Sequence, residues 1–583
     1  MNNVFGRFRS LMLCAVLVAL VSPSAFAQSS DEQKPAAAPA STGELKNVAV
    51  IAGAPYQKLV GDITFIGKMA GKPEWGQMVD GMLAFFTQGK AATALDKTKA
   101  WGVVVQTDGA NFIPVAILPV LKGDELLGVA KNYGAQIKDV GEGTSEIKLP
   151  SQRSIFVKQE NGLAFVTTSA ASLSKLPANP QELLTKMVGE YDLSVHASVK
   201  NVPEMYRQFA VQAMQAGVQQ GMKKNEGETD EQYAQRQKMT QDQMAKMSQM
   251  INEIDSLTLG WAVDSKQQKT FLDFTYTFVA DSKMAKQISS YSTPKTNFAG
   301  FYQADSAATL SFATKGDPKA MADDMAQFEA SMNSARQQLN QEIDKKVDDA
   351  EARDALKAAA ADAFDAAEAT IKSGQMDAGA SLHMSPDSLT FIAAAHVADT
   401  AKIESALKKL EGAAKKSPDF PGIKWNAAKH GDANFHTLTV PVPESEKGPR
   451  QLLGSQLDVA VGIGGDAVYV GIGKDNIDAV SKAMDASAKE KGKAVPPFEF
   501  ALSLAPIMEV AASQAENENQ KDVLQKVADF LKSDAQGRDH VRATGTMVPN
   551  GLKYRIVAEE GALKAIGKAT TAVEEQKAQA AHQ

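Results

Sequence analysis

Seven histidines are spread along the chain, and only one group of them has a spacing that suits metal ligation: His430, Asp432 and His436, in the run HGDANFH. On a single strand these three even-numbered residues would share one face, and two imidazoles with a carboxylate are proper ligands for zinc or iron. Gly431-Asp432 is also a hairpin-turn signal, and a turn there would divide the set. Other chemistry-bearing patterns are weaker. Ser172-Leu173-Ser174-Lys175 fits S-x-x-K, but the S-D-N and K-T-G partners of serine–lysine acylation do not occur in the sequence. Val461-Gly462-Ile463-Gly464-Gly465-Asp466 lacks the G-x-G-x-x-G spacing and lies between two strand-like runs, where a hairpin turn belongs. Gly61, Gly67 and Lys68 are one residue too far apart for a phosphate loop, and Met69 follows where Ser or Thr is needed. Asp323-Asp324 and Asp348-Asp349 fall in helical stretches, where adjacent side chains diverge. The sequence therefore predicts no catalytic residue and no cofactor.

Apolar residues at helical steps form a second class of candidate. Met78, Met82, Phe85 and Phe86 make one such group; Met321, Met325 and Phe328 make another. Met244, Met247, Ile251 and Ile254 follow the same spacing. Such residues fill cores or pair helices. Because methionine repacks easily, they also suit an adaptable surface or a cavity for lipid.

The first 27 residues read as an export signal. Arg7 and Arg9 precede the apolar run Leu11–Val21, and Ala25-Phe26-Ala27 is an A-x-A cleavage site ahead of Gln28. The run is short of the roughly 20 residues that span a bilayer, and no later run is long and apolar enough to do so. The single cysteine, Cys14, lies inside the leader. A mature chain without thiols excludes a disulfide scaffold, a CxxC redox site and a cysteine-based zinc finger. The formal charge of −7 on 583 residues argues against a general nucleic-acid binder. Residues 28–46, rich in Ser, Ala and Pro, are predicted to form a disordered linker.

These candidates must be positioned by a repeated unit of strand, tight turn, strand and helix. It occurs at Trp101–Lys131, Thr258–Ile288, Asp377–Lys408 and Val541–Lys568, with turns at Thr107-Asp108-Gly109, Asp264–Gln267, Ser385-Pro386-Asp387 and Pro549-Asn550-Gly551. Phe156–Leu173 parallels Ala460–Ile477, aligning Val166 with Val470, and Leu193-Ser194-Val195 matches Phe498-Glu499-Phe500. A third parallel sets Ile63–Met82 against Leu310–Met325 as strand, turn and helix. Landmarks in the same order predict a tandem duplication. The expected fold class is α+β: two related halves of antiparallel, curved sheet packed on helices, with long helical inserts. The first half is set at 47–290 with a helical insert at 204–255. The second is set at 296–572, with a helix at 317–373 that is either one arm or a hairpin broken near Asp348-Asp349. Residues 573–583 are expected to be a disordered tail.

The stretches Phe156–Pro177 and Tyr191–Gln208, which contain NGLAFVTTSAASLSKLP and YDLSVHASVKNVPEMYRQ, together with the leader and the tandem hairpin–helix units, resemble uncharacterised secreted proteins of planctomycete-type bacteria. The resemblance implies an exported protein and carries over no site residue. The function expected is a non-enzymatic binding or structural role in the cell envelope or periplasm. The alternatives are a carrier of lipid or another apolar ligand, and a hydrolase or metal-dependent enzyme with a site outside the known motifs. An envelope protein or a lipid is the expected partner, and nucleic acid is not.

Overall fold

The computed structural model describes residues 45–87, 89, 91–176, 179–291, 293–317, 322–415, 420–535 and 537–581. The expected leader, its expected Ala27/Gln28 junction and most of the expected linker lie outside the described residues. The chain divides into two compact units, Met1–Met284 and Ala285–Gln583.

Unit 1 is built on ten strands: β1 (Lys46–Gly53), β2 (Trp101–Thr107), β3 (Phe112–Pro119), β4 (Gln136–Gly141), β5 (Thr144–Lys148), β6 (Ser154–Glu160), β7 (Leu163–Thr167), β8 (Leu193–Ser198), β9 (Ile254–Asp264) and β10 (Lys269–Phe278). All its pairings are antiparallel, in the order β10-β9-β8-β1-β2-β3-β7-β6-β5-β4. The hairpin turns follow from local chemistry. The Asp108 carboxylate accepts from the amides of Ala110 and Asn111 at 2.9 and 2.7 Å, closing β2 onto β3. Asp264 does the same for Gln267 at 3.0 Å, closing β9 onto β10.

Unit 2 has the two-residue strands β11 (Lys295–Thr296) and β19 (Lys493–Ala494), which pair as a separate ribbon. Its main sheet uses β12 (Ala308–Lys315), β13 (Gln375–Ser385), β14 (Ser388–His396), β15 (Lys424–His430), β16 (Ala433–Pro441), β17 (Gln456–Ile463), β18 (Ala467–Gly473), β20 (Phe498–Ser503), β21 (His540–Val548) and β22 (Gly551–Glu559). The order is β22-β21-β20-β12-β13-β14-β18-β17-β16-β15, again antiparallel throughout. Strand for strand this is the order of unit 1.

The equivalence extends to register. Val157 pairs with Val166 in unit 1, and Val461 with Val470 in unit 2. Val166 also faces Ala116, as Val470 faces Ala393. Leu193 faces Gly53 and Trp261; Phe498 faces Phe312 and Gly545. The fold is α+β, with two tandem related halves of antiparallel sheet. The third parallel read from the sequence needs correction. Ile63–Phe65 is not a strand but part of helix α1 (Tyr56–Met69), and register assigns β1 as the counterpart of the Leu310 strand. The short β-branched run imitated a strand, while Leu59, Ile63 and Ile66 keep helical spacing.

The helices enter at equivalent connections. Between the first two strands unit 1 has α1 and α2 (Trp75–Thr87); after β3 comes α3 (Gly123–Asn132), before β8 comes α4 (Pro180–Val188), and between β8 and β9 lie α5 (Glu204–Gly221) and α6 (Asp230–Glu253). Unit 2 places α7 (Ala322–Lys346) and α8 (Ala350–Lys372) between β12 and β13, then α9 (Thr400–Ala414) and α10 (Asn476–Lys489), and α11 (Leu504–Gln514) with α12 (Glu518–Ser533) between β20 and β21. The 317–373 region is thus a helical hairpin, broken before Asp349, whose carboxylate caps α8 by accepting from Ala352 N at 2.7 Å. The break between α5 and α6 ends in a capping box of Thr229 and Gln232. The last helix, α13, runs Glu560–Ala581, so residues 573–581 are helical where a tail was expected; Ala, Glu, Gln and Lys are all good helix formers.

In unit 1 both faces of the central strands are covered. Val50, Ala52, Val104, Val115, Ile117, Leu163 and Phe165 pack with Leu184 of α4 on one face. Val103, Ala116, Val157, Ala164 and Val166 pack with Leu126, Leu127 and Ala130 of α3 on the other. In unit 2 Phe435 is fully buried with Ile392, Ala460 and Val480, its ring lying over cross-strand Gly462, where a Cβ would come within 2.6 Å of it. Phe435→Ala should therefore lower the unfolding free energy in chemical denaturation by about 3–5 kcal/mol. Val440→Ala, at an exposed position of the same strand, should cost less than about 1 kcal/mol.

Candidate functional site

The histidine–carboxylate group does not converge. His430 ends β15, Gly431-Asp432 form the turn, and Ala433 begins β16, so the turn interpretation holds. His430 pairs with Ala433 and shares its face, while His436 lies on the opposite face of β16. Each side chain has its own partner. His430 Nε2 is 2.8 Å from Asp485 Oδ1, Asp432 accepts from Gly465 N at 3.1 Å, and His436 Nδ1 accepts from Asn426 N at 3.1 Å. The His436 ring meets that of Trp425 at a tilt of 56° with centroids 4.6 Å apart, and burial lowers its pKa. Among the described residues no group of three or more His, Cys, Asp or Glu is placed to hold a metal ion. Ser172 is buried, and its hydroxyl donates to the Ser169 carbonyl at 2.6 Å.

The apolar helix candidates separate. Met78, Met82 and Phe85 are exposed along one stripe of α2, with Phe85 at 77%. Phe86 belongs to the same helix. Met325 and Phe328 are half-buried in α7, and Met321 lies outside the described residues. Two clefts open on the surface. One, of about 330 Å3, is lined in unit 2 by Gln303, Ser388, Thr390, Lys474, Asp478 and Lys482 among others. The other is lined in unit 1 by Thr93, Asp124, Glu125 and Gly128.

The feature that sequence reasoning missed is a row of apolar side chains across each sheet. Residues directly opposite one another in an antiparallel ladder point to the same face. In unit 1 one such row reads Phe274–Leu259–Val195–Ile51–Val103–Ala116–Val166–Val157. Its far half, from Val103 to Val157, is buried under α3. Its near half is open: Val195, Leu259 and Phe274 are 39, 47 and 43% exposed. Leu272 extends the open area, and an aromatic ladder runs along β10 from Phe274 to Tyr276 to Phe278, with centroids 6.1 and 5.6 Å apart.

On the same strands the other face is mainly polar, with Phe271 and buried Ala262 as its apolar pair. It carries Ser194, His196, Thr258, Asp273, Thr275 and Thr277. Ser194 and Asp273 are buried, at 1 and 0% exposure. Asp273 accepts from the Tyr191 hydroxyl at 3.0 Å; the Tyr191 ring lies over Gly260, and burial first, then the Asp273 charge, drives its pKa up. His196 Nδ1 bonds Thr258 at 2.9 Å, and Ser256 bonds Thr277 at 2.8 Å. Polar groups face in and apolar groups face out, the reverse of the usual half-buried sheet.

Unit 2 has a related arrangement, and it coincides in register with unit 1 on the outer strands, where exposed Ile556 and Tyr554 take the places of Phe274 and Leu272. Its row reads Ile556–Ala543–Phe500–Leu310–Ala380–Ala393–Val470–Val461. Leu310 and Ile556 are 37 and 50% exposed, and Tyr554 lies beside them. The opposite face holds buried Thr309 and Ser311, where unit 1 has the core residues Val50 and Ala52, with Glu499, Arg542 and Arg555. There Glu499 accepts from the Tyr302 hydroxyl at 2.9 Å. The alternation of Phe274, Tyr276 and Phe278, and of Leu552, Tyr554 and Ile556, was the available signal. It marks the strands without saying which face stays open.

If the near half of the row is a binding surface and not core, Leu259→Ser and Phe274→Ser should each change stability by less than about 1 kcal/mol in denaturant titration. Val166→Ser, on the same row beneath α3, should cost about 2 kcal/mol or more, because it buries a hydroxyl and loses apolar packing.

No family model matches the chain, and neither a curated protein nor a solved structure is similar to it.

Proposed function

We propose that this is an exported, non-enzymatic protein of the cell envelope that binds the hydrocarbon part of a lipid, or an apolar molecule of similar shape, on the open sheet faces. One observation carries the proposal: in both units the outer strands leave apolar side chains exposed while buried polar groups lie on the opposite face, and exposed Phe274 and Leu272 are matched in register by exposed Ile556 and Tyr554. An apolar row that merely lacked a cover in one unit would be an accident of packing. Its recurrence on two sequences that differ at most positions supports a common use.

The chemistry of the face favours hydrocarbon. The side chains of Val195, Leu259, Phe274, Leu310 and Ile556 offer no hydrogen bond, so an occupant is held by burial of apolar area. The binding surface proposed is an open face and not a cavity between sheet and helices, since in unit 1 that interface is filled by Val104, Ile117, Phe165 and Leu184. The leader sequence Met1–Ala27 supports export, which brings such a face to the membranes and lipids of the envelope. Among the described residues no helix is long and apolar enough to cross a membrane.

The test is binding of an apolar naphthylamine dye and of phospholipid acyl chains by the purified mature chain, with native mass spectrometry for co-purified lipid. The wild type should enhance dye fluorescence, and lipid should compete the dye off. Leu259→Ser/Phe274→Ser should remove the contribution of unit 1, and adding Leu310→Ser/Ile556→Ser should remove the rest. A wild-type chain that neither enhances the dye nor carries lipid sinks the proposal, as does a fourfold variant that binds as well as the wild type.

A further inference from the structure

Helix α1 meets the sheet of unit 1 through three charged side chains whose numbers do not balance. Lys58 and Asp62 lie one turn apart on α1, 3.0 Å apart. The same Lys58 ammonium also pairs with Asp192, in the segment entering β8. Asp192 is a hub: its other carboxylate oxygen accepts from Val263 N at 2.6 Å, its amide donates to the Trp261 carbonyl and its carbonyl accepts from Ala54 N, both at 2.8 Å. Asp62 and Asp192 are both buried, whereas Lys58 is about half exposed. Two buried carboxylates thus share one cation.

We infer that Lys58, Asp62 and Asp192 form a proton-operated latch that sets how firmly α1 is held to the sheet. With both carboxylates ionised the cluster carries one uncompensated negative charge in a buried place. A proton on Asp62 leaves a one-to-one pair of Lys58 with Asp192. Burial, opposed by Lys58 and reinforced by Asp192, pushes the Asp62 carboxyl up to about 6.

The other charged groups around α1 are engaged elsewhere. Asp80 of α2 accepts from the Tyr56 hydroxyl at 2.9 Å, Lys97 lies 5.1 Å from the Tyr56 ring, and Glu190 acts on Tyr191. The groups acting on Asp62 are Lys58 from its own helix and Asp192 from the sheet.

The sign follows from linkage. A carboxyl whose pKa is higher when docked than when free makes docking tighter in acid, and that gain is lost as pH rises through about 6. The helix is therefore latched at acid pH and looser at neutral pH. Its movement would carry α2 and the exposed Met78–Met82–Phe85 stripe, which follow it through a short turn.

Hydrogen exchange on the full mature chain, corrected for the intrinsic pH dependence of exchange, reads the latch directly. Protection of the α1 amides should fall about tenfold between about pH 5 and about pH 7.5. Protection in α4 of the same unit should stay constant. Asp62→Asn, which cannot ionise, should hold one level of protection at both pH values, and Asp62→Glu should restore the response. Equal wild-type protection of α1 at both pH values overturns the inference. So does an Asp62→Asn chain that keeps α4 protected and still shows the wild-type fall. None of these readings depends on a ligand.

Discussion

Cross-strand register is the constraint on which the rest of this molecule depends. In an antiparallel ladder a one-residue slip would turn every side chain of a strand to the other face. The ladder that sets Val166 opposite both Ala116 and Val157 places all three under α3, and by continuation it aims Val195, Leu259 and Phe274 to the same side, beyond the reach of that helix. Core and open face are thus two ends of one row. The inward direction of Asp273 and Ser194 is fixed by the same pairing, and so is the need for Tyr191 to reach across Gly260 and bond the Asp273 carboxylate.

With the single cysteine at position 14, before the first strand, the helical inserts are held to their units by packing and ion pairs. In unit 2 buried Asp362 of α8 receives Lys402, Ser405 and Lys409 of α9, and Lys409 above all, with Ser405, holds its carboxyl well below the usual range. Neighbouring Asp365 bonds Arg336 of α7 at 2.8 Å, so three helices meet in one charged network. There the cations outnumber the buried carboxylate. At Asp62 and Asp192 the balance is reversed, and the same kind of tie becomes sensitive to protons. At Asp362 the bonds from Lys409 and Ser405 outweigh desolvation, whereas at Asp62 desolvation is the largest influence and Lys58 does not overcome it.

Much of the fold was legible in sequence because turns and period are local. Asp108, Asp264 and Asn550 announce hairpins through their own hydrogen bonds or their positive φ, and the strands beside them alternate cleanly. The Val166/Val470 correspondence was legible because both strands keep an apolar period of two on either side of a turn. Ile63–Phe65 misled because three residues cannot separate period two from 3.6. The Asp62–Asp192 cluster was invisible, since its members are more than a hundred residues apart. The open row was equally hidden. Phe274-x-Tyr276-x-Phe278 and Leu163-x-Phe165 look alike as patterns, yet the first is partly open and the second is sealed beneath α4. Which of two alternating faces acquires a cover depends on where a distant helix packs.

The two units show which features are held and which vary. Ladder order and register coincide, while the helices between equivalent strands differ widely: α1–α2 against α7–α8, and α5–α6 against α11–α12. Identities within the row change as well, with Ala543 where unit 1 has Leu259 and Ile556 where it has Phe274. What persists is an exposed apolar face on the outer strands, with Phe274 and Leu272 in one unit matched by Ile556 and Tyr554 in the other. A sheet that needed only to fold would be free to cover that apolar face with either set of inserted helices, and neither unit does so. Two different helical solutions that leave the same rows open argue that the opening belongs to what the sheet is for, and that the inserts are shaped around it.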